Sequence, residues 1–312
     1  MSLHELPMIL FTVLAQLAVG VFTVVAVLRI VAAARGRETG ERVEELTNPA
    51  LYAAWIALCA GLLASMFHMN DVFHVLNVFR HVGSSWLSRE IVLGMVFAGL
   101  GLCCVAAQWF RWGGAGLRRA LTALAALAGL VLVHAMSMIY YSLVTVPAWH
   151  NWRTPVAFHT TALLLGTLVV ATALALTARF RPQSDPAAEP EPEPEPPRRP
   201  LTALLNGLAL TAIVLLGVEF VTVPLHVSAL SSEGGVAAES ASVYSGAWFV
   251  ARLVLVFLGA GLLAALLHRF TGPARIRPTR LAALASTAFA LVLVGEFIGR
   301  SQFYESMIRI GM

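Results

Sequence analysis

Eight stretches of this chain are apolar over the length that a lipid bilayer demands, and nothing else in the sequence restricts its fold as much. They lie at roughly 7–34, 50–69, 90–110, 119–144, 155–178, 201–224, 246–268 and 281–299, each near or above the about 20 residues that cross a hydrocarbon core. Lipid offers no partners to backbone N–H and C=O groups, so such spans satisfy their hydrogen bonds internally, as helices. The expected fold is an all-α integral membrane protein, a bundle of eight transmembrane helices forming a single domain over 1–312. The composition agrees: 58% of the 312 residues are hydrophobic, 12% are charged and the mean hydropathy is +0.78, values foreign to a water-soluble domain.

The opening MSLHELPM carries no basic residue before the first span, and that span exceeds the h-region of a signal peptide, so it is expected to remain as helix one. All 21 basic residues are arginine. Without lysine the chain forms no Schiff base, which removes retinal pumps. Fourteen of the arginines fall in the loops 35–49, 111–119, 179–200 and 269–280, against five in the alternate loops and the C-terminal tail. The positive-inside rule therefore predicts both termini, and the loop 70–89, on the outer face of a cell inner (cytoplasmic) membrane. The net charge of +4 reflects that topology, and no nucleic-acid partner is expected. Cys59, Cys103 and Cys104 sit in apolar spans without C-x-x-C spacing and read as packing residues. The segment RPQSDPAAEPEPEPEPPRRP at 181–200 favours an extended polyproline conformation. It reads as a cytoplasmic spacer dividing two sets of four helices, or alternatively as a docking site for a basic partner. VTVP recurs at 144–147 and 221–224, too short a repeat to establish a duplication.

Ionisable groups are costly in hydrocarbon and are functional candidates by default. In ASMFHMNDVFHVLNVFRHVGSSWLSREIVLG, 64–94, His68 ends the second helix, His74, Asn77, Arg80 and His81 occupy a loop, and Glu90 opens the third helix, where a carboxylate suits the N-terminus. At 1.5 Å per residue, His134, His159, Glu219, Arg252, Glu296 and Arg300 also fall in the outer half, and the inner half reads as plain Ala, Leu, Val and Gly packing. Glu219 with Arg252, and Glu296 with Arg300 at i,i+4, are either structural ion pairs or functional groups. His134 and His159 read as hydrogen-bonded interior residues or ligands, His74 and His81 as surface residues or ligands, and Trp149, His150 and Trp152 as interface anchors. An imidazole at 68 and a carboxylate at 90 can exchange protons near neutral pH. Met66, Phe67, Met69, Phe73 and Phe79 surround them. A lipid-soluble quinol fits this setting, with His68 as first proton acceptor and Glu90 as the exit towards water. A proton-coupled transporter built on Glu219, Arg252 and Glu296 remains open on the same chemistry, as does a b-type cytochrome ligated by His68, His134 and His159.

Several motifs in order resemble the membrane anchor subunit of dimethyl sulfoxide reductase and its relatives (DmsC type). They are ELPMILFTVLAQ at 5–16, ASMFHMN at 64–70, HVGSSWLSREI at 81–91, VPAWHNWRTP at 146–155, GVEF at 217–220 with His226, the Ala-Trp stretch leading to Arg252, and GEFIGRSQFY at 295–304. The chain departs from the family pattern at His81, where an arginine is usual and Arg80 stands one residue earlier, at Asn70 in place of a glycine, and in the Glu-Pro spacer. The resemblance implies an eight-helix anchor without haem that oxidises menaquinol for anaerobic respiration. It implies two partners: a four-cluster iron–sulfur subunit docked on the outer face, and a molybdenum bis-pterin (molybdopterin) catalytic subunit reducing DMSO or a related S- or N-oxide. By position, His68 and Glu90 match the histidine and glutamate of the family's quinol site, with Asn77, Arg80, His81, Glu219 and Arg252 as its lining and support.

Overall fold

Apolar length sets most of the helices, and local polar pairing sets their ends. The computed structural model describes residues 5–66, 79–180, 198–271 and 277–311, and among the described residues there is no strand. Helix α1 (Leu6–Ala34) begins with Pro7 in its first turn, where a missing N–H costs nothing. Gly36, at φ 129°, turns the chain, a backbone conformation open mainly to glycine. Helix α2 (Arg37–Met66) then starts well before the apolar run at 50. Hydropathy does not register residues 37–49, yet Arg37 pairs with Glu41 one turn on at 2.8 Å, and Val43 and Leu46 are buried. Helix α3 (Trp86–Trp109) is capped by the Ser85 side chain, which accepts from the Ser88 N–H at 3.4 Å.

Helices α4 (Ala115–Tyr141) and α5 (Arg153–Phe180) follow, then α6 (Arg198–Glu233), which runs past Pro224 to 36 residues. After it come the short α7 (Gly235–Ser242), a 3-10 turn (Val243–Ser245), α8 (Ala247–Thr271) and α9 (Pro278–Glu305). Seven helices among the described residues are long and apolar enough to cross a membrane alone, and the pair Gly235–Ser245 and Ala247–Leu263, bent by 59°, makes eight when counted as one broken span. The protein is thus multi-pass, and the spacer at 181–197 lies outside the described residues.

Tyr304 on α9 meets Thr12 on α1, and Ile310 donates to the Thr145 carbonyl beyond α4. Both chain termini therefore share one end of the bundle, called here the terminal end. The bundle does not separate at the spacer into two independent halves, because α1 packs against α2, α4, α5 and α9. Its approach to α5 is the tightest at any described glycine: a Cβ placed on Gly20 would lie 1.7 Å from the Ala162 carbonyl oxygen. Small residues allow such backbone contact between membrane helices.

The end opposite the termini overturns one expectation, since plain apolar packing does not describe it. Arg29, 1% exposed, donates to Thr47 Oγ1 at 3.0 Å, Thr122 Oγ1 at 3.3 Å, the Glu44 carbonyl at 3.2 Å and Asn48 Oδ1 at 2.8 Å. Glu44 in turn pairs with Arg118. With its amide turned to suit its neighbours, Gln108 donates to Glu44 Oε1 at 2.9 Å and accepts from Arg29 Nη1 at 2.7 Å. Four helices are pinned by a network whose members satisfy one another, which is what makes buried charge tolerable. Arg29→Met is expected to leave the buried Gln108 amide oxygen without its donor and cost about 1–3 kcal/mol, read as an earlier melting transition in detergent; Arg37→Met, at the exposed pair, is expected to leave the transition in place.

Candidate functional site

Helix α3 places Glu90 one turn below its start. The first turn is rigid: Arg89 donates from Nε to the Val82 carbonyl at 2.8 Å and from Nη2 to the Gly83 carbonyl at 2.7 Å, and its guanidinium lies 4.3 Å over the Trp86 ring. Four residues apart, Trp86 and Glu90 share a helix face. Trp86 stands edge-on to His134 of α4 at 6.4 Å, and His134 neighbours His159 of α5 at 6.0 Å. His159 Nδ1 is 2.8 Å from the Pro155 carbonyl, whereas His134 is exposed. The Glu90 carboxylate is half-buried, and among the described residues no hydrogen bond or ion pair engages it. A carboxylate held in that state is open to an incoming donor.

Glu90 lies within electrostatic reach of the Tyr140 and Tyr304 hydroxyls. These two meet at 3.1 Å, and Tyr304 continues to Thr12 Oγ1 at 2.9 Å. Around Tyr140 pack Trp149, Phe158 and Phe303 with ring centres 5.0, 5.6 and 5.1 Å away. Trp149 donates to the Phe303 carbonyl at 2.7 Å. This aromatic junction joins α1, α4, α5 and α9 at the terminal end.

Beyond it lies a second polar group. Glu219 of α6 pairs with Arg252 of α8, and Arg252 lies against Gly299, where a Cβ would come within 2.5 Å of the guanidinium carbon. Glu296, 3% exposed, accepts from Thr161 at 2.6 Å through Oε2. Arg300, 6% exposed, donates to Gln16 at 2.9 Å and stacks 3.9 Å over Phe158. The expected i,i+4 pair of Glu296 with Arg300 does not form as a salt bridge; partners from α5 and α1 take both side chains instead. Glu219 with Arg252 does form. These residues border a cavity of about 80 Å³ that also touches Arg153, His226 and Tyr244.

Of the residues singled out from the sequence, His68, His74 and Asn77 lie outside the described residues. Arg80 and His81 sit on an exposed 3-10 turn at 79–81. Glu90 stands on α3, and Glu219 with Arg252 bridges α6 and α8, so the structure distributes them over two groups linked by Tyr140, Tyr304 and Arg300. Sequence reasoning passed over Tyr140, Tyr304, Thr161, Gln16 and the whole Arg29 network. Gln16 and Arg29, polar residues inside a 29-residue apolar helix, were the available signal. Among the described residues no cluster of three His, Cys, Asp or Glu could hold a metal.

Comparison with known proteins agrees with this architecture. Residues 1–189 match the family model described as DMSO reductase anchor subunit (DmsC). One component of the anaerobic dimethyl sulfoxide reductase of Escherichia coli K12 is 28% identical over 309 residues, covering 99% of this chain and 97% of that one. A second polypeptide of the same organism, the anaerobic dimethyl sulfoxide reductase component YnfH, is 29% identical over 319 residues, with the same 99% and 97% coverage. A shorter similarity, 32% over 108 residues and 31% of this chain, joins it to one of the subunits of the sulfite dehydrogenase of Allochromatium vinosum, of which it covers 33%.

Proposed function

Because this chain belongs to the DMSO reductase anchor subunit (DmsC) family, and is thus the membrane anchor of a DMSO reductase-type molybdoenzyme complex with catalytic and electron-transfer partner subunits, we propose that it oxidises menaquinol at the terminal end of the bundle. In this reading the terminal end faces outward across the inner membrane, in keeping with the arginine distribution. An iron–sulfur subunit with four clusters docks over it, next to the turn carrying Arg80 and His81, and passes electrons to a molybdenum bis-pterin subunit that reduces DMSO or a related S- or N-oxide.

The observation that carries the proposal is Glu90: a half-buried carboxylate near the start of a span, without a partner among the described residues, on the helix face of Trp86, whose ring stands against the exposed His134, and within electrostatic reach of Tyr140. Oxidation of one quinol releases two protons and two electrons. His68 receives the first proton, and Glu90 accepts from the ring hydroxyl and hands on towards water at the membrane edge. The Arg89 clamp and the Trp86 ring hold the first turn of α3, so the carboxylate is aimed before the quinol arrives. Its partial burial keeps water from satisfying it in advance. Protons and electrons leave on the same side, so the step moves no net charge across the membrane; charge movement tied to quinol oxidation would contradict it.

The test is purification of the chain from its native membrane in mild detergent, with elemental analysis of what comes with it. Molybdenum with several-fold more iron, turnover of a reduced naphthoquinol with an S- or N-oxide, and no Soret band are expected. A chain that purifies alone and metal-free would sink the anchor assignment in this setting, and a Soret band would return the histidines to the role of haem ligands.

A further inference from the structure

We propose that the end of α3 and the facing turns of α2, at the end of the bundle opposite the termini, form a binding site for one zwitterionic phospholipid headgroup with a primary amine, the phosphoethanolamine type. The inference stands apart from the quinol reading and uses none of its residues.

The site is built around Arg111. Among the described residues it alone of the non-glycines has a positive φ, 53°, a region that crowds a Cβ against the following carbonyl. It stands directly after the C-cap of α3. Trp112 donates to the Ala107 carbonyl at 2.9 Å and Arg111 to the Gln108 carbonyl at 3.4 Å, the closing pair of bonds at which glycine is the usual occupant. Glycines stand nearby at 113, 114 and 116, yet the left-handed position holds an arginine. Its side chain, 83% exposed, pairs loosely with Glu45 of α2, 64% exposed, at 3.6 Å. An exposed pair of that kind adds little to stability, so it does not offset the strained backbone.

A cation and a carboxylate side by side, both open, complement a headgroup that carries the two opposite charges. Its phosphate lies against Arg111, whose N–H fork suits phosphate oxygens, and its ammonium, with three N–H donors, lies against Glu45. The Trp109 and Trp112 indole N–H groups have no acceptor among the described residues and face the same headgroup level. A net-anionic headgroup leaves Glu45 unmet and repelled. A choline headgroup has no N–H for the carboxylate, and the aromatic faces that would hold a quaternary cation do not enclose a shared space, because Phe110 and Trp112 stack on one another with ring centres 5.0 Å apart at 21°.

Depth favours a lipid over a soluble molecule of the same charges. Trp109, the last residue of α3, meets Tyr52 of α2 edge-on at 5.5 Å, and this pair marks the hydrocarbon boundary, where Trp and Tyr collect. Glu45 stands about 10 Å further out along α2 at 1.5 Å per residue, in the headgroup layer. On the other side of the boundary, exposed Ile56 and Leu63 follow Tyr52 on α2, and exposed Leu102 follows Trp109 on α3, each at helical spacing. They give acyl chains an apolar track that ends at the charged pair.

The experiment is photolabelling of the assembled complex in nanodiscs of equal phosphatidylethanolamine, phosphatidylcholine and phosphatidylglycerol. One lipid at a time carries a diazirine at the glycerol end of its acyl chain, and labelled peptides are mapped. Labelling of 45–56 and 102–117 by the ethanolamine lipid is expected to exceed that by either other lipid about threefold to fivefold, the scale of one exposed charge contact. Glu45→Gln is expected to bring the ethanolamine lipid down to the level of the choline lipid. Arg111→Gly, which also relieves the left-handed backbone, is expected to remove the preference while the complex melts no earlier than wild type. Equal labelling by all three lipids overturns the site and leaves an aromatic belt without headgroup choice. Strongest labelling by the glycerol or the choline lipid overturns the charge pairing. A preference for the ethanolamine lipid that survives both substitutions overturns the assignment to Arg111 and Glu45, and absence of label from both segments overturns the lipid in favour of a protein covering this face.

Discussion

Glu90→Gln is expected to lower quinol-dependent turnover of the assembled complex by about 10²–10⁴-fold, the range in which a positioned proton acceptor contributes to a reaction. The substitution keeps the shape of the side chain and removes its capacity to take the quinol proton. Because no described residue hydrogen-bonds to Glu90, the change breaks no hydrogen bond among the described residues, and subunit composition and melting temperature are expected to stay near wild type. A soluble one-electron dye that reduces the partner subunits directly should drive the acceptor reaction at the unaltered rate. Glu90→Asp, with the acid withdrawn by one methylene, should fall between the two. If quinol turnover survives Glu90→Gln within a few-fold, the proton leaves by another group and the proposed site is wrong.

The second large effect is structural. Gly20→Ala is expected to prevent the assembled bundle from accumulating, since its methyl carbon would lie 1.7 Å from the Ala162 carbonyl oxygen and 3.0 Å from the Gly166 Cα. The reciprocal change, Gly166→Ala, would bring a Cβ to 2.1 Å from the Gly20 carbonyl carbon. Backbone cannot rotate aside as a side chain can. The helices must part along their length, at a cost above the about 1–3 kcal/mol typical of overpacking. Gly99→Ala is the matched comparison, because a Cβ there meets nothing within 4 Å and a helical glycine replaced without strain gains about 0.5–1 kcal/mol. Size-exclusion profiles and melting curves of the two variants should diverge in opposite directions. Gly20→Ala protein as monodisperse and stable as Gly99→Ala protein would refute the close α1–α5 contact.

The helices were legible in the sequence wherever hydropathy carries them, and their ends were not. The run at 50–69 marks only the lipid-buried part of α2; the turns from Arg37 onward are held by the buried Glu44–Arg118 pair and by burial against α1, which no hydropathy window detects. Pro224 suggests an end for α6, yet the helix continues to Glu233. For the candidate site, Glu90 and the Glu219–Arg252 pair could be picked out because charge in a span is conspicuous. What decides Glu296 and Arg300 could not: their i,i+4 spacing permits a pair, but the partners that win, Thr161 and Gln16, stand 135 and 284 residues away in sequence. Arg29 was visible as a charge, while the neutral residues that make it tolerable, Thr47, Asn48, Gln108 and Thr122, carry no signal until the helices are assembled.

Helix α1 leaves the ribosome ahead of every helix it packs against and is the last to be completed. Arg29 finds Thr47 and Asn48 as soon as α2 follows. Thr12 must wait for Tyr304, 292 residues later, which at bacterial synthesis rates of about 5–20 residues per second is about 15–60 s. Gly20 meets α5 midway through that interval. Until α9 follows, Gln16 lacks its Arg300 donor, and Thr12 Oγ1 is met only by the Met8 carbonyl of its own helix. Arrival of α9 brings Tyr304 to Thr12 and Arg300 to Gln16, and in the same movement supplies Glu296 and Phe303, so the polar group at the terminal end comes into existence only when the last helix is in place.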